Sequence, residues 1–186
     1  MAIETIVSER LDLVLLEPDF VAALLDGHRA EAEELGGFTL LTDWPDEHDG
    51  RFLAFRLDQM RRTPETTRWL VRAVVLRDPE RPMIGHAGFH GPPGQNARRE
   101  PRAVEVGYTI FSGYRRRGYA TEAVQSLIAW AEQQDIHRFI ASIAPDNAAS
   151  LALVRRLGFQ EVGRHWDEED GEELEFELVR GVSGGA

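Results

Sequence analysis

The spacing of apolar positions changes period several times along the chain, and each change marks a different element. Leu11, Leu13 and Leu15 alternate with Asp12 and Val14, the two-residue period of a strand, so a first strand is expected from Arg10 to Leu16. Pro18 suits the first turn of a helix. Phe20, Val21, Leu24 and Leu25 then recur at helical spacing, and Gly36-Gly37 closes that stretch. Residues 38–49, with Trp44-Pro45 in an acidic setting, read as a loop, whereas Phe52, Phe55, Leu57 and Met60 predict a second helix that stops near Thr63-Pro64. Trp69 to Leu76 and Met83 to His90, joined by the turn DPERP, read as a hairpin. Gly91 to Pro101, apolar only at Ala97, reads as a mobile loop.

Ala103 to Phe111 then alternates as a strand, breaks at a turn rich in Gly and Arg, and leads into a helix from Gly118 to Gln134. Ala120, Ala123, Val124, Leu127 and Ala131 give that helix one apolar stripe, as a helix laid on a sheet requires. His137 to Ala144 is a further strand and Asn147 to Leu157 a helix ended by Gly158, a residue able to take the left-handed conformation. Phe159 to Trp166 and Glu172 to Val179 form a last hairpin, and the tail GVSGGA is expected to fray. The order is strand, two helices, three strands, helix, strand, helix, two strands. It points to an α/β (α+β) domain over residues 1–180, a mixed sheet with helices on both faces, followed by a tail at 181–186.

Composition narrows the functional classes. A length of 186 residues allows one domain with a real core, and 42% hydrophobic with 28% charged residues is ordinary for a soluble protein. No window approaches the ~18 uninterrupted apolar residues of a spanning helix. The start MAIETIVSERLD lacks a basic region followed by an apolar core, so a cytoplasmic protein with no membrane partner is expected. Zero cysteines exclude a disulfide framework, a thiolate nucleophile and a Cys-ligated metal. A net charge of -11 opposes nucleic-acid binding and suits a cationic partner, although such a surface also simply keeps a protein soluble.

Arg115-Arg116-Arg117-Gly118-Tyr119-Ala120 fits the pattern [RQ]-x-x-G-x-[GA] between an expected strand and an expected helix. The N–H groups from Arg116 to Thr121 then include the orphan donors of a helix N-terminus, which with the helix dipole suit a pyrophosphate. Gly118 allows close approach, and Ala120 is nearly as small. The plainer reading is a helix start after a solvated Arg run. A Walker A loop is excluded because the chain has no lysine, and the three spaced glycines of a dinucleotide fingerprint are absent.

Downstream stand Asn147-Ala148-Ala149-Ser150 and Leu157-Gly158-Phe159. Together with VEVGYTI and RRRGYATEA, this ordered set from Ile84 to Phe159 closely resembles the GNAT superfamily of acyl-CoA-dependent N-acyltransferases. Its EVGY and N-x-x-S signatures are most similar to the branch containing the ribosomal-protein N-terminal alanine acetyltransferases. The resemblance implies a mostly antiparallel sheet and acetyl-CoA held in a V-shaped opening between strands 103–111 and 137–144. The pyrophosphate would lie on Arg115, Arg116, Arg117, Gly118, Tyr119, Ala120 and Thr121, and the pantetheine arm beside Ile110 and Phe111. Asn147 and Ser150 would face the arm from the other side; as a residue, Asn147 also reads as a helix N-cap. The acceptor would be a primary amine, of a protein N-terminus or a small molecule, attacking directly without a metal; a homodimer is compatible with this. The other reading is a non-catalytic acyl-CoA-binding sensor.

Acetyl transfer needs a neutral amine, a stabilised oxyanion and a proton for the leaving thiolate. Glu105 is the candidate base, on the strand face opposite Val104 and Val106; its alternative role is a carboxylate that orients loops. Ser150 is the candidate proton donor by the resemblance, since Val154 stands where many family members carry a Tyr; otherwise Ser150 caps or packs its helix. An oxyanion donor is expected from a backbone N–H near Phe111. His86 and His90 share a strand face about 13 Å apart, too far for one metal ion, which leaves His86 as a substrate-facing residue. Trp44 and the acidic turn Asp167 to Glu173 are expected to flank the acceptor, unless Trp44 simply packs down.

Overall fold

A computed structural model describes residues 5–167 and 171–181. The chain runs β1 (Ile6–Val7), β2 (Leu11–Leu15), α1 (Pro18–Leu25), α2 (Arg29–Gly36), α3 (Glu47–Arg62), β3 (Arg72–Leu76), β4 (Met83–Phe89) and β5 (Ala103–Ile110). It continues through α4 (Tyr119–Glu132), β6 (Arg138–Ile143), α5 (Ala148–Arg156), β7 (Gln160–Asp167) and β8 (Gly171–Val179). The strands form one sheet in the order β1-β2-β3-β4-β5-β6-β8-β7, antiparallel at every step except β5 to β6.

Strand alternation puts apolar side chains on both faces, so both must be roofed. Leu13, Ile84, Val104, Val106 and Phe139 form one core with Leu127 of α4 and Val154 of α5. Ala73, Val75 and Met83 form the other with Phe20 of α1 and Leu53 and Met60 of α3. Among the described residues no helix is long and apolar enough to cross a membrane.

Three expectations change. The single helix read up to Gly36 is two, because Gly27 takes φ 80° and His28 ends the break ahead of α2. The loop read to residue 49 ends earlier: Asp46 caps α3 by accepting the Asp49 N–H at 2.9 Å, and the helix begins at Glu47. The loop at 91–101, expected to be mobile, is tied down. Its Gly94 N–H donates to the Ala103 carbonyl at 3.0 Å, its Asn96 amide to the Glu100 and Ala103 carbonyls, and its Arg98 to Glu175 at 2.8 Å.

The parallel step is incomplete, and this positions the site. β5 and β6 are in register only from Ala103 opposite Arg138 to Glu105 opposite Ile140, although both strands run on to Ile110 and Ile143. Beyond Glu105 they diverge, while β6 stays paired with β8 along its whole length. A V-shaped gap therefore opens in the middle of the sheet, pointing towards the N-terminus of α4.

Candidate active site

At the wide end of the gap, the turn before α4 places Arg116 at φ 63° and Gly118 at φ 85°. Two left-handed residues so close together turn successive N–H groups to one side. Among the described residues, the N–H groups of residues 116–121 make no hydrogen bond; the helical series starts with the Glu122 N–H on the Gly118 carbonyl at 3.1 Å. A Cβ at Gly118 would meet only the Arg10 guanidinium, at 3.4 Å. Arg10 is held there by Glu122 at 2.7 Å and by the Arg117 carbonyl at 3.1 Å, and Arg156 donates to the Thr121 hydroxyl at 2.6 Å. Burial pushes the Glu122 carboxyl up, but the Arg10 N–H, the Ser8 hydroxyl and the Arg10 guanidinium outweigh it and hold the group below its ordinary range. The result is a cup of free N–H donors flanked by two guanidinium groups, which fits a pyrophosphate.

Along β5 the direction of each backbone group follows from its neighbours. The Phe111 N–H donates to the Ile84 carbonyl at 2.9 Å, and the Glu105 carbonyl accepts from the His90 N–H at 2.9 Å, so the odd-numbered residues face β4. Tyr108 and Ile110 therefore face the gap. This narrows the expectation of a donor near Phe111: the Phe111 N–H itself is spent within the sheet, and the Tyr108 and Ile110 N–H groups face the gap. The Ile110 carbonyl accepts from Arg115 Nε at 2.8 Å, which ties the start of the phosphate turn to the strand.

On the far side of the gap, Asn147 Oδ1 accepts the Ser150 N–H at 3.1 Å, so Asn147 is indeed the N-cap of α5. The Tyr108 hydroxyl is buried beside Ser150 and, among the described residues, meets no partner in hydrogen-bonding geometry. Burial pushes the phenol's pKa up, with Ser150 opposing the shift. The tyrosine missing from α5 thus has a counterpart on β5.

A cavity of about 830 Å³ lies on the opposite face of the sheet, beneath α3. Its floor is His86 and Gly88 of β4 and His90 just past it, with Gly107 and Thr109 of β5, and Gly88 is paired directly with Gly107. Neither position has room for a side chain: a Cβ at Gly88 would meet the Leu70 carbonyl oxygen at 2.4 Å, and one at Gly107 the His90 ring at 2.9 Å. Asp49, Phe52 and Arg56 of α3 form a wall at helical spacing. Trp44 is buried with its ring 5.9 Å from that of Phe111, and both line the cavity.

The two histidines serve opposite ends. His86 stacks on Phe52 at 5.4 Å, and its Nε2 lies 3.6 Å from Asp49 Oδ1. The His86 interaction holds the Asp49 carboxyl below its ordinary value against the opposing effect of burial. Asp43 and Asp46 line the same end. At the other end the His90 ring lies against Gly107, where a Cβ would meet its Nε2 at 2.9 Å, and its Nδ1 is 3.6 Å from Glu105 Oε1. Glu105 itself is only 2% exposed. Its Oε2 accepts the Ala97 N–H at 2.6 Å and its Oε1 the Ser142 hydroxyl at 2.6 Å, so the carboxylate stands behind His90 and pins the 91–101 loop.

The acidic turn fares differently from Trp44. Residues 168–170 lie outside the described residues; Glu172 and Glu173 pair with Arg164 and His165 and do not line the cavity. Tyr108, Asp49, Phe52 and Arg56 carried no assigned role in the sequence. The signal was present for the last three, at i, i+3 and i+7, but Asp49 joins the other two only once Asp46 is recognised as the cap that begins the helix.

The chain was compared with known proteins. A family model described as "Acetyltransferase (GNAT) domain" matches residues 10–160. The N-acetyltransferase YjdG of Bacillus subtilis (strain 168) is 31% identical over 87 residues, which cover 46% of this chain and 49% of that protein. The [Ribosomal protein uS5]-alanine N-acetyltransferase of Escherichia coli (strain K12) is 34% identical over 90 residues, covering 47% of this chain and 44% of that one. The matches thus span about half the length of these relatives. Among solved structures, the microcin C7 self-immunity acetyltransferase MccE, in complex with acetyl-CoA and AMP, shares the fold with a TM-score of 0.60 at 14% identity, covering 93% of this chain and 94% of that one.

Proposed function

The chain belongs to the GNAT acetyltransferase family, and from that premise we propose that it transfers the acetyl group of acetyl-CoA to a primary amine, of a protein N-terminus or a small molecule. One observation carries the reading: β5 and β6 part beyond Glu105, between a turn whose N–H groups at residues 116–121 make no hydrogen bond among the described residues and the cavity beneath α3. A phosphate-bearing thioester threaded through that gap reaches the acceptor cavity from behind, and the amine enters from the front.

Acetyl-CoA supplies the activated acyl group. The chain's residues bind, orient and move protons. The turn from Arg115 to Thr121 takes the pyrophosphate, and Asn147 and Ser150 bound the arm at the start of α5. The Tyr108 and Ile110 N–H groups are the donors for negative charge developing on the acyl oxygen, fixed in place by the sheet. Glu105 is the basic carboxylate and acts through His90: with Glu105 behind Nδ1, the ring presents Nε2 above Gly107, where an incoming amine must lose its proton. The thiolate receives its proton from the hydroxyl pair Tyr108 and Ser150. His86 and Trp44 shape the acceptor's other end.

The test is acetyl-CoA titration by calorimetry of the wild type and Gly118→Asp. The variant places a carboxylate among the phosphate donors and is expected to abolish the binding that the wild type shows. Equal affinity in both would overturn the assignment of the turn.

A further inference from the structure

Two arginines line the cavity, Arg56 and Arg115, and burial separates them. Arg115 gives Nε to the Ile110 carbonyl at the mouth. Arg56 is different: it is 7% exposed, it lies on the cavity wall, and among the described residues it has no carboxylate partner. Its Nη1 donates to the His90 carbonyl and to Gln59 Oε1, both at 2.9 Å. Its Nε is buried with no acceptor, and Nη2 makes no hydrogen bond. The rings of Phe52 and Phe55, at 5.1 and 5.5 Å, cover the guanidinium without neutralising it. Burial lowers the group to about 10, so it remains a cation at neutral pH.

A desolvated cation in a cavity wall with unspent donors is a site for an anion, and the planar fork matches a carboxylate. The remaining charges fix where that anion lies. Asp43, Asp46 and Asp49 gather at the opposite end, and seven residues of helix put Asp49 about 10 Å from Arg56. Arg56 is bonded to the backbone of His90, whose ring is the base of the proposed reaction. The anion therefore docks immediately beside the point where the amine reacts.

We infer that the acceptor carries a carboxylate next to its reactive amine, as an α-amino acid does, with Arg56 binding the carboxylate while His90 faces the amine. This rests on the transferase reading above and narrows its acceptor class. The acidic end of the cavity then receives the acceptor's side chain and excludes acidic ones.

The experiment compares N-acetyl-L-amino acids with their carboxamides as product ligands, measured by calorimetry on the CoA-loaded protein, alongside acetylation rates for the matching free amino acids and amino-acid amides. In the wild type the carboxylate form should be favoured about 10- to 100-fold in both affinity and kcat/KM. Arg56→Gln should bring that ratio close to one, chiefly through KM. Arg56→Lys, which retains the charge without the fork, should recover part of it. Amides acetylated or bound as well as acids by the wild type would overturn the inference on their own, whether or not the variants fold. So would Arg56→Gln retaining the preference. A protein that binds no acetyl-CoA and acetylates no amine would instead remove the transferase reading.

Discussion

At the scale of single residues, the chemistry falls on groups whose hydrogen bonds are either complete or conspicuously open. Glu105 is complete, with Ala97 and Ser142 each 2.6 Å from its carboxylate. Glu105→Gln can keep both contacts, because the amide oxygen can accept from Ala97 while Ser142 turns to accept from the amide. The fold should therefore lose only about 1–2 kcal/mol in denaturant unfolding. The kcat should fall at least tenfold, with acetyl-CoA affinity nearly intact; full turnover would show that the His90 ring acts without Glu105. Tyr108 is open. Tyr108→Phe removes a buried hydroxyl that has no good partner, so stability should hold or rise slightly. If this phenol supplies the thiolate's proton, kcat should fall about 100-fold, further than in Ser150→Ala. An unchanged rate in Tyr108→Phe would assign the proton to Ser150 or water.

At the scale of elements, the phosphate turn depends on an anchor distant in sequence. Ser8 and Arg10, just ahead of β2, hold Glu122 in the first turn of α4. The folded Glu122 has its pKa held below the unfolded value, so its contribution is present above the ordinary carboxylate pKa and is lost as pH falls through the folded one. Glu122→Gln should accordingly be less stable than the wild type near neutral pH, by under about 1 kcal/mol because Arg10 is well exposed. The two should converge below about pH 4; parallel unfolding curves across that range would refute the linkage. The turn at 115–121 was legible as the start of a helix, since RRRGYA stands between an alternating stretch and an apolar stripe. The Ser8 and Arg10 anchor was not, because a contact spanning more than 100 residues leaves no periodic trace. The start of α3 was hidden for a local reason: Trp44-Pro45 and the aspartates around it look like loop until Asp46 is seen to cap the helix, and Asp49 was lost with that boundary.

At the scale of the whole molecule, function comes from one fault in an otherwise continuous sheet. Two cores roof the two faces, so the sheet can lose the rungs from Ala141 to Ile143 of β6 without coming apart, and on the proposed reading the gap connects the cofactor side to the acceptor side. The mixed sheet and the strand pair that diverges were legible from the order of elements and the family signatures. Which N–H groups face the gap was not, because backbone direction depends on register with β4, which turns the Phe111 N–H to β4 and the Tyr108 and Ile110 N–H groups to the gap. The most direct measurement is thiol release from acetyl-CoA by the wild-type protein with a panel of free amino acids, amino-acid amides, peptides with free N-termini and simple alkylamines, with mass spectrometry of the products. The account predicts thiol release matched one for one by N-acetylated product with at least one amine. Tight binding of acetyl-CoA with no release on any amine would contradict it and leave the fold as an acyl-CoA sensor.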